Sequence, residues 1–473
     1  MRGGGISEDS SVTFVPMSAI DEVTGTIARP QVRKFKDVSK GYTHFADGDV
    51  VLAKITPCME NGKAAIARRL VNGIGCGTTE LHVMRPLGGI SPEFLFHLVR
   101  QKSFRKAAEA RMTGTAGQLR VPSSFIENSK VALPPLAEQF RIVSRIDELL
   151  QKSRAAKGAL EQVPNTLARF RRSVLAKAFR GDLTEGDPND EPAPALFNRI
   201  QVERKKRLGK TFHEPDVLTS SLPSLPKTWI WTRIRDICFV VTKGATPTSY
   251  GFTYVTTGIR FVKVENLDDG RISRQKITQF IAPNVHQFLK RSQLEANDVL
   301  FSIAGTIGKV SIVQEEDLPA NTNQAIAIIR CPWRFVDPRY LASVLSSAVP
   351  QISIADRPRG VAMSNVSLED VLNIVCPLPP IEEQRRIFAR KAQLFSAANQ
   401  IGAASRFGLQ NVEKLEQSIL AKAFRGEMIP QDPNDEPASV LLERIKAHRA
   451  MTGKKGSQMI LEIAHRSRTA AKA

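Results

Sequence analysis

The sequence predicts a mixed α/β chain with long α-helices: two globular α/β units alternating with two long helical spacers, which pair with each other as an antiparallel coiled coil. Three observations predict this class. The first is an internal repeat. LPPLAEQ at Leu133 returns as LPPIEEQ at Leu378, SVLAKAFRG at Ser173 as SILAKAFRG at Ser418, and DPNDEPA at Asp187 unchanged at Asp432, each after a step of 245 residues. A step held constant over so long a segment leaves no room for insertions, as a helix of defined span requires. The second is an apolar stripe after each LPP, with apolar residues three and four apart. The third is that the stretches between the repeats share an order of elements but little sequence. The expected division is residues 1–132 for the first globular unit, 133–210 for the first spacer, 211–377 for the second unit, 378–452 for the second spacer, and 453–473 for a basic tail.

In the first unit, VTFVPM (Val12–Met17), DGDVVLAKI (Asp47–Ile55) and ELHVMRP (Glu80–Pro86) read as strands with their turns. Ser91 as N-cap and Pro92 at the first helical position open a helix expected to run to about Ala110. A polar, glycine-bearing loop from Arg111 then feeds a last strand ending at Pro134-Pro135. The stripe of the first spacer includes Leu136, Ile142, Val143, Ile146, Leu149, Leu150, Leu160, Val163, Leu167, Phe170, Val174 and Ala178. A rod of about 45 residues would be about 65 Å long. Pro164 lies inside it and removes a backbone donor, so a kink or break is expected there. Gly181 is a stop, DPNDEP a turn, and Pro192 opens a helix that ends in the basic run ERKKRLGK. After a linker over 211–222, LPKTWIWTRIRDI begins the second unit at Leu225. There RFVKV matches TFVPM, DVLFSIA matches DVVLAKI, and DPRYLASVL matches SPEFLFHLV. The second stripe includes Ile381, Ile387, Leu394, Ile401, Leu409, Val412, Leu415, Ile419 and Ala423.

Charge points to the partner. The chain has 473 residues and a formal charge of +20, an excess suited to a polyanion. No run of 18 apolar residues occurs and the N-terminus lacks an apolar signal core, so nucleic acid in the cytoplasm is expected rather than a membrane or a secreted setting. Cys58, Cys76, Cys238, Cys331 and Cys376 are scattered without a CxxC, which argues against a zinc site or a disulfide framework.

Catalytic patterns are not found. GTIGK (Gly305–Lys309) lacks the spacing of a phosphate loop, and Val310 stands where Ser or Thr should. DPND is not the tetrad that amino-methyltransferases place beside a target base, and no histidine pair or recurring carboxylate set suggests a metal or a nuclease. The expectation is a non-enzymatic chain that binds no metal or cofactor. What remains is binding chemistry: Thr, Asn, Gln, Lys and Arg in loops suit base edges and phosphates. In the first unit these are Lys54, Thr56, Asn61, Lys63, Thr78, Thr79, Thr113, Thr115, Gln118 and Arg120. In the second they are Lys243, Thr246, Thr248, Lys263, Asn266, Thr306, Lys309, Asn321, Asn323, Gln324, Arg357 and Arg359.

Together, LPPLAEQ/LPPIEEQ, the doubled LAKAFRG, LPxxW before a variable unit, GATPTSYG and DVLFSIAGTIGK resemble the specificity subunit of type I restriction-modification systems over nearly the whole chain. The resemblance implies two target recognition domains, each reading one half of a split, asymmetric site in double-stranded DNA, with the spacers fixing their separation. It implies docking of two modification (methyltransferase) subunits and of restriction subunits, with S-adenosylmethionine, ATP and Mg on those partners and no catalysis here. The repeated DPNDEPA, through Asp187, Asn189, Glu191, Asp432, Asn434 and Glu436, is a candidate seat for the modification subunits. One departure stands out. Leu225 to Phe261 precede the rest of the RFVKV strand, whereas thirteen residues precede Phe14, so the counterparts of LPKTWIWTRIRDI and TKGATPTSYG are missing from the first unit. A misplaced start, a truncated gene or a degenerate first head are the alternatives, which leaves open a subunit with one working recognition domain. A non-catalytic coiled-coil scaffold that binds protein is the other reading.

Overall fold

The computed structural model describes residues 7–115, 117–215, 218, 222–268, 270–350 and 366–452. Its contacts divide the chain into two units, Met1–Glu161 with Ser405–Ala473, and Gln162–Ala404. Each unit therefore holds one globular head and one half of each long helix.

In the first unit, β1 (Ser11–Val15), β2 (Gln31–Lys34), β3 (Thr43–Ala46) and β6 (Ile74–Gly77) form a sheet of order β2-β1-β6-β3, with β1 antiparallel to β2 and parallel to β6. A second sheet places β4 (Val50–Ala53) between β5 (Ala64–Ile66) and β7 (Leu81–Met84), all antiparallel. All four residues of β4 are buried, as a short continuous apolar run covered on both faces should be. Gly75 is required on β6 because the Phe45 ring lies where its Cβ would be.

The second unit repeats this pairing. Its strands are β8 (Ile230–Arg233), β9 (Val240–Lys243), β10 (Ile259–Val262), β11 (Leu267–Asp268), β12 (Arg271–Ile272), β13 (Phe280–Ile281), β14 (Val299–Ser302), β15 (Val310–Ile312), β16 (Ala320–Thr322), β17 (Ile326–Arg330) and β18 (Val375–Leu378). β10 is antiparallel to β13 and parallel to β16, as β1 is to β2 and β6. β14 lies antiparallel between β15 and β17, as β4 does between β5 and β7. The same buried ion pair recurs at the start of the central strand: Arg85 grips Asp49 and Arg330 grips Asp298, each through two hydrogen bonds of 2.6–2.8 Å.

Three expectations change. The helix from Ser91 is two helices, Pro92–Arg100 and Lys102–Glu109. Ser91 caps the first as expected, accepting from Phe94 N at 3.0 Å. Gln101 is extended (φ −58°, ψ 140°), and a single extended residue leaves the apolar spacing almost undisturbed. The strand expected before Pro134 is not formed. Its counterpart 245 residues on, β18, pairs antiparallel with β8 from Val375↔Arg233 to Leu378↔Ile230, and no described residue of the first unit supplies a β8. Finally, the first long helix, Leu136–Ala178, is unbroken at Pro164. Proline cannot donate to the carbonyl four residues back, which belongs to Leu160, and the Ser405 hydroxyl donates to that carbonyl instead at 3.0 Å.

Contacts between the long helices, the second being Ile381–Phe424, run in opposite chain directions within the first unit. Ser153 Oγ donates to Glu416 at 3.1 Å, Lys157 lies 3.8 Å from Glu413, and Leu160 meets Ser405. Ile142, Val143, Ile146 and Leu150 share a core with Ile419, Leu420 and Ala423. In the second unit Arg171 reaches Asn399 and lies over the Phe395 ring. Within the described residues no helix is long and apolar enough to cross a membrane.

Candidate nucleic-acid interface

In the first unit the candidate residues gather where β4 ends. The Thr113–Arg120 loop closes on itself by paired backbone hydrogen bonds of 2.8–2.9 Å, and Val121 N then donates to Lys54 O at 2.8 Å. Thr113, Thr115 and Gln118 are exposed on this loop, beside half-buried Lys54 and Thr56. Lys63 joins them because Ala53 N donates to Lys63 O. Asn61 is exposed on the same turn, its amide 3.4 Å from Glu22, and Thr78 and Thr79 lie in the turn before β7. Several of the set are already engaged: Lys63 Nζ donates to Met17 O at 3.5 Å and Thr78 Oγ1 accepts from Glu80 N at 3.2 Å. Thr56 Oγ1 donates to Glu60 at 2.7 Å. Arg120 holds Glu80 through two 2.9 Å hydrogen bonds, which keep that carboxyl below the usual carboxylate range.

In the second unit the corresponding place is the end of β14, beside the ends of β9, β10 and β16. Thr322 ties them together: its hydroxyl donates to Val262 O at 2.9 Å and its carbonyl accepts from Ala245 N at 3.0 Å. Gly244 sits so close to the Thr322 and Asn323 carbonyls that a Cβ would meet them at 2.2 Å. This packing brings Lys243, Thr246, Thr248, Asn323 and Gln324 together, with Thr246 Oγ1 touching Gln324 Oε1. Lys263 and Lys309 follow at the end of β10, where Lys309 Nζ donates to Val264 O at 3.3 Å, and Thr306 is exposed on the neighbouring turn. Asn266 and Asn321 are corrections. Both are buried. Asn266 joins Lys263 N to Lys276 O, and Asn321 donates to Leu289 O and Ser292 Oγ, so their amides hold the fold instead of facing a ligand. Arg357 and Arg359 lie outside the described residues. Val366, the first described residue beyond them, donates to Ile303 O just as Val121 does to Lys54 O.

Residues 226–403 match the family model described as the type I restriction modification DNA specificity domain. The chain is 32% identical over 446 residues to the type I restriction enzyme EcoAI specificity subunit of Escherichia coli, covering 83% of this chain and 75% of that one. To the EcoBI specificity subunit of Escherichia coli it is 33% identical over 345 residues, covering 70% and 67%. The chain belongs to the specificity subunits of type I restriction enzymes. In fold it is similar to the crystal structure of the HsdS subunit from Thermoanaerobacter tengcongensis, with TM-score 0.59 and 22% identity over 89% of this chain and 92% of that one.

The repeated motifs of this specificity subunit fasten head to spacer. Gln139, of LPPLAEQ, accepts from Ser91 N at 2.8 Å and donates to Gly89 O and Pro134 O. Gln384, of LPPIEEQ, accepts from Asp337 N at 2.8 Å and donates to Phe335 O and Pro379 O. Each glutamine is fully buried and joins the start of a head helix to the start of a long helix. Two residues further along, Arg141 grips Asp435 and Arg386 grips Asp190, the last Asp of each DPND. These four residues were within the repeats but were not singled out by sequence reasoning; their conservation across the 245-residue step was the available signal. The proposed docking residues are occupied locally. Asp187 accepts from Asn189 N, Asp432 from Asn434 N, and Glu191 and Glu436 pair with Arg199 and Arg444. No cluster of three or more potential metal ligands occurs among the described residues.

Proposed function

We propose that this specificity subunit reads a bipartite, asymmetric site in double-stranded DNA, one part with each head, and docks modification and restriction subunits that carry the chemistry. Its two long helices pair as an antiparallel coiled coil and set the separation between the two parts. The subunit itself is non-catalytic and acts in the cytoplasm, with S-adenosylmethionine, ATP and Mg bound by its partners. The observation that carries the reading is the equivalence of the two loop clusters: both sit at the end of the central strand of a similarly paired head, they differ in side chains, and both heads are fastened to the same helical motif by the same glutamine. One scaffold thus presents two different surfaces rich in hydrogen-bonding and basic groups. The charge of +20 supports a polyanionic target. DPNDEPA, with Asp187, Asn189, Glu191 and their repeats, is proposed to seat one modification subunit per repeat. Methylome sequencing of the host tests the reading: a split adenine-methylated motif should disappear when the gene is deleted, and an unchanged methylome would overturn it.

A further inference from the structure

Among the described residues of the second head, three large apolar side chains are more than half exposed: Tyr250 at 51%, Phe288 at 57% and Trp333 at 56%. Single exposed apolar residues are ordinary, but Tyr250 and Phe288 stand together. Their ring centroids lie 5.5 Å apart with an interplanar angle of 69°, and Phe252 packs on Phe288 at 5.1 Å. The backbone fixes where both rings sit. Tyr250 ends the turn Pro247–Tyr250, which Gly251 closes in a left-handed conformation (φ 79°), its N–H donating to Thr248 O at 3.2 Å. Phe288 ends the helix Pro283–Phe288, whose Val285 is buried, with the following Leu289, against Ala245 and Phe261. Both elements are fastened to β16: Ala245 N donates to Thr322 O, and His286 Nδ1 touches Asn321 Oδ1. The rings therefore adjoin the second loop cluster. Thr246 and Thr248 lead into Tyr250, and exposed Lys290 and Arg291 follow Phe288. The first head has no equivalent, since none of its described Phe and Tyr residues is exposed.

We propose that Tyr250 and Phe288 form an apolar reading surface of the second head, which contacts the 5-methyl group of a thymine in the major groove of double-stranded DNA. The proposal rests on the DNA-reading role of that head and names one group that it reads. Both rings lie within residues 226–403, the segment matched by the DNA specificity domain. They are continuous with polar and cationic side chains suited to base edges and phosphates. Among the groups that distinguish base pairs in the major groove, the thymine methyl alone is apolar. An aromatic pair offers it contact that the Thr, Asn and Gln side chains of the loops provide poorly, and the contact removes apolar surface of ring and methyl alike from water. Because the first head exposes no ring, the methyl is read in one half of the site only.

The experiment uses the full chain in complex with its modification subunits and a duplex carrying the motif that the complex methylates. Each thymine is replaced in turn by deoxyuridine, which deletes the methyl and keeps the base pair. Binding should weaken about three- to tenfold at a thymine of one half-site, as the loss of one buried methyl implies. The double variant Tyr250→Ala, Phe288→Ala should bind the unmodified duplex more weakly and should no longer respond to deoxyuridine at that thymine. Tyr250→Ala alone, in a turn, should reduce the response and keeps the test available if the double variant does not fold. Indifference of the unaltered complex to deoxyuridine throughout the motif, or an equal response in the variants, would overturn the proposal and leave the DNA-reading role standing. Failure of the unaltered complex to prefer the motif over a scrambled duplex would overturn both. A folded variant that no longer joins its modification subunits would place the rings at a protein interface and would also overturn the proposal.

Discussion

At the scale of single residues, Gln384 shows what the repeat encodes. Its amide satisfies one backbone N–H and two carbonyls in a buried place. Gln384→Ala should lower stability by about 1–3 kcal/mol for each group left unsatisfied, read from the urea midpoint, and Gln139→Ala should act similarly in the other unit. The motif was visible in the sequence, but this role was not: the glutamine's partners are backbone groups at Ser91 and Asp337, whose side chains differ between the heads. Burial was equally hidden at Asn266 and Asn321, which match the loop chemistry of a reading surface yet serve the interior. Lys243 is exposed at the edge of the second cluster. Lys243→Gln should weaken binding to all DNA sequences and reduce the salt slope by about one unit. An unchanged slope would remove Lys243 from the contact surface.

At the scale of elements, hydrophobic period and capping residues located the strands, the Ser91-capped helix and both long helices. The errors arose where a local rule met a distant partner. A kink or break is expected at Pro164; the helix is not broken there, and the carbonyl that the proline cannot serve is served by Ser405. Ser405→Ala should therefore cost about 1 kcal/mol by removing the hydrogen bond to a half-buried carbonyl, and should lower the thermal midpoint; no change would mean that water serves Leu160. The strand expected at Val131 failed for the opposite reason, since the ladder it needs is supplied in the other unit by β8. The Arg141–Asp435 pair adds a pH signature. The Arg141 hydrogen bonds hold the Asp435 carboxyl below its ordinary range. Its stabilising contribution is thus present above the unfolded aspartate pKa, about 3.9, and is lost as pH falls through the lower folded value. The stability gap between the native chain and Arg141→Met should shrink below about pH 4 and stay constant near neutrality.

At the scale of the whole molecule, the 245-residue repeat was the most legible feature of the sequence, because identity across a constant step needs no structure to interpret. It carried the alternation of heads and spacers and the resemblance to the specificity subunits. The surfaces themselves were less legible, since a loop reveals its chemistry but not which of its side chains the fold consumes. The central claim is that the paired spacers measure the distance between two separately read half-sites. Four residues inserted after Ala155, and four after the equivalent Gln400, add one turn to both helices, about 6 Å, close to two base pairs at about 3.4 Å each. The measurement is the methylated DNA motif produced by this variant together with its modification subunits. The account predicts both half-site sequences unchanged and the gap between them longer by one or two base pairs; an unchanged gap would contradict it.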